Sequence, residues 1–304
     1  MAPLLRLGTR GSKLALTQTG LVRDALAKAI PALAAPNAIE VVTIRTTGDA
    51  IQDRPLSEAG GKGLFVKEIE EALLSGRIDA AVHSMKDMPT AQPAGLVIAA
   101  FLPREDARDV LIASVTRIAD LKQGAIVGTA ALRRKPQLLY PRPDLQIVTL
   151  RGNVDTRLAK RARGEVEATV LAMAGLNRLG LTVGTPVPEG EMLPAVGQGA
   201  VCIECRIDDA RTLGWLANIN HALTQTCVAA EHAMLAVLDG SCRTPIAGHA
   251  VFDQDGALYL RGLIAKPDGS ALIATDRNGP ASDAEAMGRE AGEELKRRGG
   301  PGFL

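Results

Sequence analysis

Leu4-Leu5-Arg6-Leu7-Gly8-Thr9-Arg10-Gly11-Ser12-Lys13-Leu14-Ala15-Leu16 is the stretch on which the fold reading turns. Residues 4–8 have the apolar density of a buried strand. Ser12 is placed to cap a helix running toward Leu33, with Leu14, Leu21, Ala25 and Leu26 at helical spacing. A strand, a short turn and a helix therefore open the chain. The same grammar continues outward. Ile39 to Thr47 alternates like a strand, and Phe65, Ile69, Ala72 and Leu73 mark an amphipathic helix ended by Gly76. Ile78–His83 and Leu96–Leu102 are apolar enough for buried strands. Strands alternating with helices predict a parallel α/β sheet. Between them, the polar, Gly-rich span 48–63 reads as a mobile segment.

Pro103 to Arg108 is a charged break, after which the pattern restarts. Val110–Ala113, Ala125–Gly128, Leu145–Leu150 and Ala168–Ala172 read as strands with helices between, a second α/β domain. Ala200–Arg206 is again strand-like, followed by helical patterns through Leu216 and from His221 to Leu238. Three further strands (246–252, 257–265, 271–277) are separated by Asp253-Gln-Asp-Gly256 and Pro267-Asp-Gly269, which are hairpin turns, and a last helix follows Ser282. The final part is α+β.

A chain of 304 residues exceeds what one core usually carries, so two or three domains are expected. With 35 Lys+Arg against 34 Asp+Glu the net charge is +1, and four Phe, two Tyr and one Trp leave little for base stacking. A general nucleic-acid binder is excluded. Arg6 and Arg10 interrupt the opening apolar stretch, so it does not read as a signal peptide, and the longest apolar runs fall far short of the ~20 residues of a bilayer span. Four cysteines without a secretion signal read as free thiols, and a cytoplasmic protein is expected.

Three strand-to-helix junctions carry one chemistry. They are Arg6-Leu-Gly-Thr-Arg10-Gly-Ser12, Val127-Gly-Thr129-Ala-Ala-Leu-Arg133-Arg134, and Leu150-Arg151-Gly-Asn153 with Arg157 a turn later. A helix start exposes unpaired N–H groups and a positive dipole end, to which arginines add two-pronged donors. One such junction alone is usually a solvated helix start. Three, each on the carboxyl side of its strand, predict a ligand with several negative groups.

Other motifs are weaker. Gly60-Gly-Lys62-Gly63 fails as a phosphate loop, because Leu56 and Gly63 stand where Gly and Ser or Thr are needed, although Lys62 in a lid could reach an anion. Cys202-Ile-Glu-Cys205 has zinc-like spacing but lies in a strand, where residues three apart face opposite ways, so no metal is expected. Cys227 falls in an apolar helical series and reads as a core thiol. Cys242, in the turn Asp239-Gly-Ser-Cys-Arg-Thr-Pro245, has Arg243 beside it, yet most loop cysteines are inert. Ser84-Met-Lys86-Asp87 ends a strand and reads equally as a functional edge or as a simple turn. His83 reads as a packed strand histidine.

Taken together, these strings resemble a known family. Thr9-Arg-Gly-Ser-Lys-Leu-Ala-Leu16, Gly60-Gly-Lys-Gly-Leu-Phe-Val-Lys-Glu68, Val82-His-Ser-Met-Lys-Asp87, Val127-Gly-Thr129 with Leu132-Arg-Arg134, Leu150-Arg-Gly-Asn153, Leu193-Pro-Ala-Val-Gly-Gln-Gly-Ala200 and the Cys242 loop occur in the order of the hydroxymethylbilane synthases, or porphobilinogen deaminases. The resemblance covers essentially the whole chain.

It implies two doubly wound α/β lobes like those of periplasmic binding proteins, with an active cleft between them, plus a smaller α+β C-terminal domain. The expected boundaries are 1–102 with 196–218, 107–195, and 222–304. It implies a dipyrromethane cofactor joined by a thioether to Cys242, and a monomeric cytoplasmic transferase without nucleic-acid or membrane partners. The implied reaction, a step of haem and tetrapyrrole biosynthesis, takes porphobilinogen, which loses ammonia to give an electrophilic azafulvene. A pyrrole α-carbon attacks it, a proton leaves, and after four additions water releases the linear tetrapyrrole hydroxymethylbilane. By the same resemblance Asp87 is the catalytic residue, stabilising positive charge on the pyrrole ring. Arg10, Ser12, Lys86, Thr129, Arg133, Arg134, Arg151, Arg157 and Arg178 would hold pyrrole acetates and propionates, with Lys62 and Phe65 in a lid. The chain departs at Ala130-Ala131, where many relatives carry Ser-Ser. Two rivals share part of this pattern. A two-lobed carboxylate-binding protein would need neither Asp87 nor Cys242, and a regulator's ligand module would need a DNA-reading helix pair that the sequence does not offer.

Overall fold

Leu5 and Leu7 are fully buried, and so are Ala80, Val201 and Ile203 on neighbouring strands; these apolar positions bring the sheet of the first unit together. A computed structural model describes residues 2–50, 65–241 and 244–304. The chain divides into two units, residues 1–104 with 200–225, and residues 105–199 with 226–304. In the first, β1 (Leu5–Arg10), β2 (Ile39–Ile44), β3 (Ala80–Ser84), β4 (Leu96–Phe101) and β10 (Val201–Arg206) form one sheet in the order β2-β1-β3-β10-β4. Helix α1 (Lys13–Ala29) lays Val22 and Leu26 on one face of it, and the opposite face buries Ile69 and Leu73 of α3 (Lys67–Leu74) with Ile78 and Ala81. α2 (Thr47–Ala50) is a single turn between them. Gly8 lets β1 pass close to this second layer: a Cβ there would sit 2.2 Å from Ile78 Cδ1 and would force that side chain to shift.

The second unit holds two sheets. β5 (Asp109–Ile112), β6 (Ile126–Gly128), β7 (Gln146–Val148), β8 (Ala168–Ala172) and the two-residue β9 (Thr185–Pro186) run in the order β7-β6-β8-β5-β9, with α4 (Arg134–Leu139), α5 (Val154–Ala162) and α6 (Met173–Arg178) between strands. After α7 (Ala210–Ala217), which belongs to the first unit, α8 (Ala222–Val237) leads to an antiparallel sheet of β11 (Ile246–Phe252), β12 (Leu258–Ala265) and β13 (Leu272–Gly279), closed by α9 (Ala284–Gly299). Met234 of α8, Leu295 of α9, and Leu258 and Leu260 of β12 share its core. α8 and α9 touch backbone to backbone: a Cβ on Gly288 would lie 2.2 Å from the carbonyl oxygen of Ala230. Glu231, wholly buried, ties this sheet to the 193–199 loop by accepting from the N–H of Gly197 and of Ala250, both at 2.7 Å.

The expectation of parallel sheets needs correction. β1 is parallel to β2 and β3, and β6 to β7 and β8, but β10 is antiparallel to both its neighbours, as is β5. The two five-stranded sheets are mixed because these strands are not the returns of a local strand-helix-strand crossover. β10 arrives after the whole 105–199 segment, and β5 pairs with β8 and β9 from much later in the chain.

Candidate functional site

In the first unit, β1 and β3 are parallel with Gly8 level with Ala81, so their carboxyl ends open on one sheet edge. Arg10 ends β1. A 3-10 turn at Met85–Asp87 follows β3, pinned by Met85 N–H to the Ala200 carbonyl and Met88 N–H to that of Met85. The turn presents Lys86 and Asp87, both half-buried. Arg10 Nη1 lies 4.0 Å from Asp87 Oδ2, and the guanidinium sits 4.1 Å over the ring of Phe65. Cation–π stacking and the partial ion pair hold one arginine between an aromatic face and a carboxylate. Ser12 caps α1, its Oγ accepting from Ala15 N–H at 3.2 Å. Gln18 on α1 and Ser84 at the end of β3 hydrogen-bond at 3.0 Å and fix the helix to this edge. His83 is buried with its Nε2 3.4 Å from Glu204 Oε2, a packed strand histidine as its position predicts.

The second unit carries the other two junctions. Thr129 is buried and its Oγ1 accepts from Ala131 N–H at 3.2 Å, so the turn after β6 is closed by the threonine itself. Arg133 and Arg134 then turn inward. Only 7% and 5% of their side-chain surfaces remain exposed, and both grip one carboxylate, Asp109 at the start of β5. Arg133 reaches Asp109 through Nη1 (2.8 Å) and Nη2 (3.1 Å), and Arg134 through Nε (3.2 Å) and Nη2 (2.9 Å). Backbone carbonyls of Leu193 and Val170 take one further donor each, at 3.0 and 2.9 Å. Burial by itself would raise the Asp109 pKa; the charges of Arg133 and Arg134, with their hydrogen bonds, overcome it and hold the group well below the ordinary carboxylate value. Burial pushes Arg133 down, with Asp109 opposing it.

At the third junction Asn153 caps α5, its Oδ1 accepting from Thr156 N–H at 2.8 Å. Arg157 Nε donates to the Gly152 carbonyl at 2.7 Å, which lays its guanidinium against the helix start. Gly152 has φ 120°, and a Cβ there would stand 2.6 Å from Thr156 Cγ2, so only glycine makes this turn. Arg178, ending α6, donates from Nη2 to the Gly199 carbonyl at 2.7 Å; burial pushes its pKa down while Glu105 opposes the shift.

The structure thus brings Arg10, Phe65 and Asp87 together on one edge and Arg133 and Arg134 together on Asp109, while Arg157 folds back on the Gly152 carbonyl at the α5 start. Lys62 and Cys242 lie outside the described residues. Cys205 packs with Val201 and Ile203 on one face of β10, whereas Cys202 Sγ points to the His83 carbonyl. Sequence reading missed Asp109 and Gln198. The signal for the first was present: an aspartate opening the apolar run Asp109-Val-Leu-Ile112 is a charge entering a buried strand, which demands partners.

Comparison with known proteins decides the family. Residues 5–214 match the model described as porphobilinogen deaminase, dipyromethane cofactor binding domain, and residues 225–297 match the porphobilinogen deaminase C-terminal domain. The chain belongs to the porphobilinogen deaminase family. The chain is 55% identical over 303 residues to the porphobilinogen deaminase of Paracoccus denitrificans (strain Pd 1222), covering 99% of this chain and 96% of that one. It is 52% identical over 306 residues to the chloroplastic porphobilinogen deaminase of Oryza sativa subsp. japonica, covering 99% and 86%. Among solved structures, the BvgS VFT2 domain of Bordetella pertussis matches 75% of this chain and 91% of that one, with a TM-score of 0.42 and 14% identity. The fold assignment rests on the sheets described above. Every arginine seat falls within the cofactor-binding match of this porphobilinogen deaminase family member, and Cys242 falls within its C-terminal match.

Proposed function

We propose that this member of the porphobilinogen deaminase family condenses four porphobilinogen molecules, with loss of ammonia, into hydroxymethylbilane, with Asp87 as the catalytic group and Cys242 as the attachment point of dipyrromethane. The observation that carries the assignment of Asp87 is its placement at the carboxyl edge of β3, 4.0 Å from Arg10. A half-buried carboxylate beside a stacked guanidinium is positioned to accept a pyrrole N–H and to offset positive charge as the substrate's C–N bond breaks.

The donor set fits the cofactor. Dipyrromethane bears an acetate and a propionate on each ring, and both units offer arginines at helix starts: Arg10 beside the Ser12 cap, and Arg151 and Arg157 beside the Asn153 cap. Gly152, where a side chain could not fit, keeps the backbone close at that cap. When bound, the cofactor supplies a free pyrrole α-carbon as primer. The chain's own residues do the rest. Arg10, Ser12, Lys86, Thr129, Arg133, Arg134, Arg151, Arg157 and Arg178 would hold carboxylates. Asp87 would hold a pyrrole N–H and keep its negative charge close to the ring throughout each addition. Lys62 and Phe65 would cover the edge, a role supported for Phe65 by its stacking on Arg10.

We place the enzyme in the cytoplasm, as a monomer with no nucleic-acid or membrane partner. The three described cysteines, Cys202, Cys205 and Cys227, are buried thiols, which supports a reducing compartment, and no described helix is long and apolar enough to cross a membrane. Intact mass tests the assignment of Cys242. Protein from a host that makes porphobilinogen should carry added mass equal to two linked pyrroles, lost in Cys242→Ser. An unmodified wild-type chain from such a host would refute it.

A further inference from the structure

We infer that Asp109 is a positioning residue for the reaction, holding Arg133 and Arg134 as one preformed receptor for a single pyrrole carboxylate. The inference rests on the reading of those two arginines as carboxylate holders and goes beyond it in assigning how they are held.

Two arginines adjacent in sequence repel each other, and burial of both deepens the cost. The fold places them side by side by bringing in a third group from a distant strand. Asp109 is wholly buried and spends both carboxylate oxygens on the pair, at 2.8–3.2 Å. Gln198 completes the arrangement from the other direction. Its Nε2 donates to Asp109 Oδ1 (2.8 Å) and to the Ala107 carbonyl (2.7 Å), and its Oε1 accepts from Arg133 Nη2 (2.9 Å). Two cations and one anion leave the cluster with one surplus positive charge. One surplus charge, placed beside the turn after β6 where open α/β sheets receive ligands, is complementary to one carboxylate. With Asp109 absent, two surplus charges would be unmatched by a monoanion. With Asp109 displaced, the planar forks lose the orientation on which two-pronged recognition depends.

The test uses holoenzyme and compares Asp109→Glu, which keeps the charge but moves the carboxylate by one methylene, with Asp109→Asn, Arg134→Lys and Leu121→Ala. Leu121 shares the apolar core of this sheet, and its apolar side chain carries none of the cluster's hydrogen bonds, so its alanine variant controls for lost stability. The expected result for Asp109→Glu is a rise in the porphobilinogen KM of roughly tenfold, with kcat changed far less and reduced pyrrole loading by intact mass. Leu121→Ala should lose comparable thermal stability with KM unchanged. Should Asp109→Asn fail to fold, the Glu variant carries the test alone. Wild-type KM and full loading in a folded Asp109→Glu, or a KM shift equal to that of Leu121→Ala, would overturn the inference and leave a structural ion cluster. If Arg134→Lys also leaves KM and loading untouched, the reading of the arginines themselves fails, and the inference with it. If Arg134→Lys is impaired and Asp109→Glu is not, only the inference fails.

Discussion

The first and second strand-to-helix junctions share a sequence pattern and part company in structure. After β1, Ser12 takes the cap of α1, and Arg10 is left on the sheet edge with a quarter of its side chain exposed, between Phe65 and Asp87. After β6, no side chain caps α4. Arg133 stands in the cap position itself, and both arginines are drawn beneath the turn onto Asp109. One arginine is a surface donor and the other two are interior cations. The lesson is that a buried partner brought in by the fold, here Asp109, decides whether an arginine at such a junction faces in.

The comparison breaks most readily on stability. Arg134→Met leaves the buried Asp109 with one arginine and should cost about 3–5 kcal/mol, whereas Arg10→Met should cost less than about 1 kcal/mol as a partly exposed pair; urea unfolding of the two variants measures the contrast, and equal losses would erase it. Its pH dependence sharpens the point. Asp109 is held below its ordinary value of 3.8, so its contribution is fully present above that pH and is lost as the pH falls below it. The stability gap between wild type and Arg134→Met should therefore be flat from about pH 7 to 5 and narrow below about pH 4. A gap that narrows near neutrality would point to another group.

On activity the order reverses. Asp87→Asn keeps the shape and removes the charge, and turnover should fall by about 10²–10³ with stability and cofactor mass retained; steady-state rates beside intact mass decide it, and near-normal turnover would remove Asp87 from its role. Ser12→Ala should cost about 1 kcal/mol by loss of the helix cap, visible as a lower melting temperature. The smallest effect is expected from Ala130→Ser. Thr129 already closes that turn and Ala130 is exposed, so urea unfolding should show a stability change within about 0.5 kcal/mol.

Much of this was readable beforehand. The strands 168–172 and 246–252 follow directly from apolar runs bounded by turns, and β1 with its Ser12 cap follows from local spacing. The catalytic assignment of Asp87 came from family resemblance, because Ser84-Met-Lys86-Asp87 alone reads equally as a turn. Strand direction was not readable, since a buried run looks the same whichever way it enters the sheet. β10 and β5 are oriented by long-range pairing rather than by their own letters. The inward fate of Arg133 and Arg134 was hidden for a related reason: it depends on an aspartate two dozen positions earlier that only folding brings near.

The Glu231 carboxylate, gripping one amide from the 193–199 loop and one from β11, bars a clean excision of residues 226–304. Cutting the chain there would orphan the buried Gly197 amide on one fragment and leave the buried Glu231 anion on the other with only the Ala250 amide of its two partners. A protease or a truncation should therefore find the second unit surviving or collapsing whole, and the arginine cluster leaning on Gln198 would share that fate.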